Sequence, residues 1–143
     1  MHKDITKNIN NLPSISATIK QHNLFANKKL SQNFILDLNL TNKIVNLSNT
    51  IKNNTIIEIG AGPGSLTRSI LLHGAKKIII IEKDKRFIDP LNILNIASEN
   101  RIIIENQDAI KIDLNDILEK HNVDQAEIIA NFPYSIATKL LLN

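Results

Sequence analysis

Three glycines alternate in Gly60-Ala-Gly-Pro-Gly64, directly after the apolar run Thr55-Ile-Ile-Glu-Ile59. Glycine adopts positive φ freely and leaves the backbone bare, so the spacing predicts a strand, a sharp turn and a helix start whose amides face a ligand. Gly60, Gly62 and Gly64 form the candidate binding loop, and Ser65 is the expected cap of a helix through Leu66, Ile70 and Leu71. The pattern is not the Gly-x-Gly-x-x-Gly that suits a dinucleotide pyrophosphate, which argues against a nicotinamide oxidoreductase. Glu82 follows a second apolar run, Ile78-Ile-Ile-Ile81. A carboxylate about twenty positions beyond a glycine loop accepts ribose hydroxyls, the alternative being a helix cap. Asp108 closes a further strand, placed either to accept a hydrogen bond from an adenine amine or to begin a turn. Asn131-Phe-Pro-Tyr134 joins an amide, a rigid turn and an aromatic ring. There the Asn131 oxygen and a backbone carbonyl could accept both hydrogens of an exocyclic amine, Pro133 would fix the backbone, and Tyr134 would stack on an unstacked base. The plainer reading of that tetrapeptide is a hydrophobic turn with Tyr134 in the core.

These residues need a scaffold that brings strand ends together. Apolar runs at 55–59, 78–81, 101–105 and 126–130 alternate with helical patterns through Leu66 to Leu71, at about 84–97 and at 114–120, and Pro90 is expected to kink or shorten the second of these. That alternation predicts an α/β fold, an open, mostly parallel sheet of Rossmann-like type, with the second strand beside the first. Every predicted strand ends in polar residues at the carboxyl edge, where such sheets bind ligands. Ahead of the sheet, Asp37 is the expected cap of a helix from Leu38 to about Asn49, with Leu40, Ile44, Val45 and Leu47 on its apolar face. Residues 1–27 are polar and weakly patterned, with a short helix possible from Ile15 to His22, and read as an N-terminal arm. Residues 28–143 then form the partial cofactor-binding domain. Lys28-Lys-Leu-Ser-Gln-Asn-Phe-Ile35 suits either a loop folded against a pocket or a solvated basic turn.

Composition narrows the function classes. The chain has 143 residues, of which 43% are hydrophobic, enough for one packed core. It has no cysteine, which excludes disulfides and thiolate chemistry, and its four histidines are scattered, so no metal is expected. Apolar runs are strand-sized and the N-terminus lacks a secretory core, which predicts a soluble, cytoplasmic protein without a membrane partner. A formal charge of +3 is a slight bias toward a polyanionic partner. No oligomeric state follows from the sequence.

From Lys28 onward the chain resembles the ribosomal RNA adenine dimethyltransferases, above all their small-subunit branch. Lys29-Leu-Ser-Gln-Asn-Phe-Ile-Leu-Asp37 is similar to that family's N-terminal cofactor motif, and Glu58-Ile-Gly-Ala-Gly-Pro-Gly-Ser-Leu-Thr67 to its glycine loop. Ile81-Glu82 resembles its ribose-binding acid, Gln107-Asp108-Ala109 its adenine-binding loop, and Asn131-Phe-Pro-Tyr134 its catalytic motif. The resemblance implies that Asn33, Ile35, Gly60, Gly62, Glu82, Asp108 and Asn131 surround S-adenosylmethionine, with Asn131, Pro133 and Tyr134 as the catalytic set. It implies transfer of two methyl groups to each of two adjacent adenines in small-subunit ribosomal RNA, free or in a pre-ribosomal subunit. Ser31 stands where the family usually has glycine, and Phe132 where it has an aliphatic residue. Family members continue with more strands and a helical C-terminal domain, so the resemblance also implies a truncated chain. A non-catalytic RNA-binding or ribosome-assembly fragment is the alternative from another class.

Overall fold

Four isoleucine-rich runs pair in parallel in the computed structural model, which describes residues 4–26 and 34–130: β1 (Thr55–Ile59), β2 (Lys77–Ile81), β3 (Ile102–Glu105) and β4 (Glu127–Ala130). The sheet order is β3-β2-β1-β4. Six helices accompany it among the described residues: α1 (Thr6–Asn10), α2 (Ile15–Gln21), α3 (Leu38–Asn46), α4 (Ser65–Leu72), α5 (Ile88–Ala97) and α6 (Leu114–Lys120).

Side chains alternate across a strand, and here both faces are apolar because both are covered. Ile56, Ile78, Ile80 and Ile102 pack with Val45, Ile70, Phe87 and Leu91, which come from α3, α4, α5 and the turn before α5. Ile57, Ile59, Ile79 and Ile81 pack with Ala109 and Ile117 on the α6 side. The four isoleucines of β2 are at most 1% exposed. Each buried side chain of that size contributes about 1.5–3 kcal/mol, so the central strands dominate the core. The segment read as an arm supplies Ile5, Ile9 and Leu24 to the core on the α4 side.

Local signals account for most element boundaries. Asp37 accepts a hydrogen bond from the Asn39 N–H at 2.8 Å and starts α3, which ends at Asn46 rather than near Asn49. Ser14 caps α2 by accepting from Ala17 N–H at 3.1 Å. Pro90 occupies the first turn of α5, where its missing N–H costs no helical hydrogen bond, and a 3-10 turn at Lys85–Phe87 precedes it. Two expectations are corrected. The apolar face of α3 is built on Thr41 and Val45, while Leu40 and Leu47 are exposed, because α3 meets α4 through a 2.6 Å hydroxyl contact between Thr41 and Ser69. Ser65 is not the cap of α4; Gly64 holds that position at φ +96°, and the Ser65 hydroxyl donates instead to the Ile35 carbonyl.

Candidate functional site

β2 and β3 lie on one side of β1 and β4 on the other, so the strand order reverses at the carboxyl end of β1. An open sheet leaves a crevice at such a point. Each loop glycine there has its own reason. Gly60 leaves β1 at φ +72°, donates to the Ile81 carbonyl at 2.9 Å, and has nothing within 4 Å of where a Cβ would stand. Its backbone faces open space, while its neighbours from Ala61 to Ser65 are buried. Gly62, at φ +55°, lies against Phe34, whose ring would be 3.5 Å from an added Cβ. Gly64, at φ +96°, has Leu94 at 3.1 Å from the same point, so a side chain there would be strained and would press on α5.

Glu82 locks the loop to the next strand. Its carboxylate accepts from Gly62 N–H at 2.8 Å and from Asp84 N–H at 2.9 Å, and the residue is 6% exposed. Burial raises its pKa, and these backbone hydrogen bonds work against the rise. Backbone N–H groups thus occupy part of the carboxylate's roughly four lone-pair directions. Asp84 caps the 3-10 turn and holds Arg86 at 2.7 Å, and Arg86 donates at 3.0 Å to the Phe25 carbonyl. Asn106 bridges from beyond β3, donating to the Glu82 carbonyl at 2.8 Å and the Lys83 carbonyl at 3.2 Å.

Beneath the loop, Glu58 of β1 is 1% exposed and accepts from the Thr67 hydroxyl of α4. Burial pushes its pKa up to about 8, with the Glu82 charge adding to the effect, so it is mostly protonated at neutral pH. Asp108 accepts from Ile110 N–H at 3.1 Å and pairs with Lys83 at 3.4 Å. Burial tends to raise its pKa, but these contacts outweigh it and the net shift is downward. At the end of β3, Glu105 receives Lys120 at 2.8 Å, His121 at 2.7 Å and Gln107 at 2.8 Å. Those bonds overcome its burial and hold its pKa at about 2.

The structure therefore brings Ile35, Gly60, Gly62 and Glu82 together, with Asp108 joined to them through Lys83 and Asn106. Asn33, Asn131, Pro133 and Tyr134 lie outside the described residues. The last described residue of β4, Ala130, is in register with Ile59, directly before the glycine loop. Three contributors were not singled out as site residues from the sequence: Phe34, Asp84 and Arg86. Asp84 carried a readable signal, an Asp opening a helical run. The contacts of Phe34 with Gly62 and of Arg86 with Phe25 cross the tertiary structure and leave no local pattern. Among the described residues no group of three His, Asp or Glu could hold a metal ion, and no helix is long and apolar enough to cross a membrane.

A family model described as ribosomal RNA adenine dimethylase matches residues 23–143. A ribosomal RNA small subunit methyltransferase A from Bradyrhizobium diazoefficiens is 44% identical over 135 residues, covering 94% of this chain and 46% of that relative. The chain thus spans about half the length of the curated relatives it matches. A dimethyladenosine transferase from Plasmodium falciparum superposes with a TM-score of 0.58 at 28% identity, over 74% of this chain and 36% of the other. A putative RNA methyltransferase from Pyrococcus horikoshii, 18% identical, shares the fold with a TM-score of 0.66 over 96% of this chain and 64% of its own. A glycine loop locked by a carboxylate at the switch point of a 3-2-1-4 sheet fits those likenesses, and the chain belongs to the ribosomal RNA adenine dimethylase family.

Proposed function

We propose that this chain carries the cofactor-binding half of an enzyme that uses S-adenosylmethionine to dimethylate the exocyclic amines of adjacent adenines in small-subunit ribosomal RNA. The observation that carries the reading is the Gly62–Glu82 lock beside Gly60, whose bare backbone opens onto the crevice. When bound, the cofactor supplies an electrophilic methyl group on a sulfonium. The remaining work is positioning and selection by the protein.

Gly60 admits the ligand against the backbone, and the free lone pairs of Glu82 take the ribose hydroxyls. Asp108 accepts from the adenine amine of the cofactor, with Asn33 and Ile35 closing the near side. Asn131 accepts hydrogens of the target amine, so the nitrogen lone pair is turned toward the donor. Pro133 fixes the backbone that carries this acceptor, and Tyr134 stacks on the extruded base, an interaction of roughly 1–3 kcal/mol. A partner RNA and a cytoplasmic location accompany this reading, which the family membership supports.

Calorimetric titration of residues 1–143 with S-adenosylmethionine tests the cofactor half, and methyl transfer to small-subunit rRNA, by the chain joined to the C-terminal half of a relative, tests the rest. Binding together with transfer is expected. Absence of cofactor binding by a folded chain would sink the proposal, and binding without transfer would favour a non-catalytic RNA-binding role.

A further inference from the structure

Arg68 projects from α4 and is 6% exposed. One terminal nitrogen donates to the Pro13 carbonyl at 2.7 Å and the other to the Thr18 hydroxyl at 3.4 Å, both neutral acceptors. Its Nε has no acceptor among the described residues. No carboxylate contacts the guanidinium there, and none of the 14 acidic side chains falls in residues 1–3, 27–33 or 131–143. A guanidinium stays charged at physiological pH, and a charge taken out of water without a counter-charge is costly. Burial alone drives the Arg68 pKa down, with no acidic neighbour opposing it.

The same side chain lines a cavity of about 40 Å³, together with Pro13, Thr18, Gln21 and His22 of the N-terminal segment and Leu94 of α5. At roughly 10–15 Å³ per water, the space holds a few waters or a small ion. The one uncompensated charge of Arg68 matches a singly charged partner. Every charged or chargeable group on the wall is cationic in its ionised form, Arg68 and His22, and Gln21 adds an amide donor. A neutral water would satisfy geometry but leave the charge uncompensated.

We propose that this cavity is a binding site for a small monovalent anion of chloride or bromide size, held by the Arg68 guanidinium. The anion sits where α2, α4 and α5 meet and fastens the N-terminal segment to the helix that starts at the glycine loop.

The test is chlorine-35 NMR relaxation of potassium chloride with the chain of residues 1–143, ionic strength held constant with potassium gluconate. Excess line broadening that saturates with chloride, is displaced by bromide and is lost in Arg68→Met is the expected result. Thermal unfolding provides a second readout: at chloride ten times its dissociation constant the midpoint should rise by about 4 °C in the parent, with no such rise in Arg68→Met. Broadening that is linear in protein surface, unaffected by bromide, or equal in the variant overturns the proposal and leaves water as the occupant. Should Arg68→Met fail to fold, the parent decides alone, because absence of a saturable, bromide-displaceable signal is sufficient to reject the site.

Discussion

The Gly62 N–H donates to Glu82 Oε1 at 2.8 Å, so one carboxylate ties the glycine loop to the carboxyl end of β2. Removing it has two effects that are separable by measurement. Glu82→Ala strands the buried Gly62 and Asp84 N–H groups, each at about 1–3 kcal/mol, and should lower unfolding free energy by roughly 2–5 kcal/mol. Glu82→Gln keeps a neutral acceptor and should retain more stability while still weakening S-adenosylmethionine. Urea unfolding and calorimetry on both variants distinguish these effects; unchanged cofactor affinity in folded Glu82→Gln would remove Glu82 from the ligand set.

Gly60 and Gly64 should respond differently to alanine. At Gly64 the left-handed backbone costs about 1–2 kcal/mol and the new Cβ meets Leu94 at 3.1 Å, so stability falls most there. At Gly60 only the backbone strain applies, since nothing stands within 4 Å. Gly60→Ala should therefore be the more stable protein and yet bind cofactor poorly. Comparable affinity in Gly60→Ala and the parent would place the ligand elsewhere.

Glu58 makes stability depend on pH. Its folded pKa of about 8 lies above its ordinary value of 4.5, so the folded state holds a proton that the unfolded state releases between those values. Stability should fall as pH rises through that window, by up to about 1.4 kcal/mol per unit, and level off above it. Glu58→Gln should flatten the profile and be the more stable protein at pH 8. Glu105, held at about 2, acts with the opposite sign, its contribution being complete above 4.5 and lost as pH falls toward 2. Denaturation midpoints from pH 4 to 9 check the difference; parallel curves for parent and Glu58→Gln would refute it.

Among the described residues β4 pairs only with β1, and Ile128 on it is 51% exposed. An unpaired hydrophobic edge recruits further strands. The chain of residues 1–143 should self-associate, and Ile128→Lys should reduce this. Sedimentation velocity over a concentration series reads the effect, and a monomeric parent at every concentration contradicts it.

Asn131→Ala, in the chain joined to a relative's C-terminal half, should lower methyl transfer about a hundredfold with little change in cofactor affinity, since an acceptor acting on the target amine matters mainly in the transition state. Tyr134→Phe should transfer at the parent rate, because the ring face does the stacking. Single-turnover transfer measured beside cofactor titration decides both; parent-like transfer by Asn131→Ala would remove that residue from the mechanism.

Where local chemistry sets structure, the sequence was readable. Isoleucine runs located all four strands to within a residue or two, and the helix expected over Leu114–Lys120 is α6. The α1 helix was not foreseen, because five residues have little intrinsic stability and Ile5 and Ile9 gain theirs from the core. Leu40 and Leu47 were assigned to the wrong side because Thr41 reaches Ser69, a contact between helices that hydropathy does not register. In the site, Gly60 and Glu82 were legible as residue types at a spacing, whereas the Phe34–Gly62 and Arg86–Phe25 contacts exist only once the chain is folded.

The 3-2-1-4 strand order also sets a timetable for a chain emerging N-terminus first. β1 and β2 are close neighbours in sequence and hold Gly60 and Glu82 through their own hydrogen bonds, whereas β4 must return past β2 and β3 to reach the far edge of β1. Closing that long loop is the entropically expensive step, so the β1–β4 pairing should form late and the glycine loop should already be shaped while the opposite wall is still being synthesised.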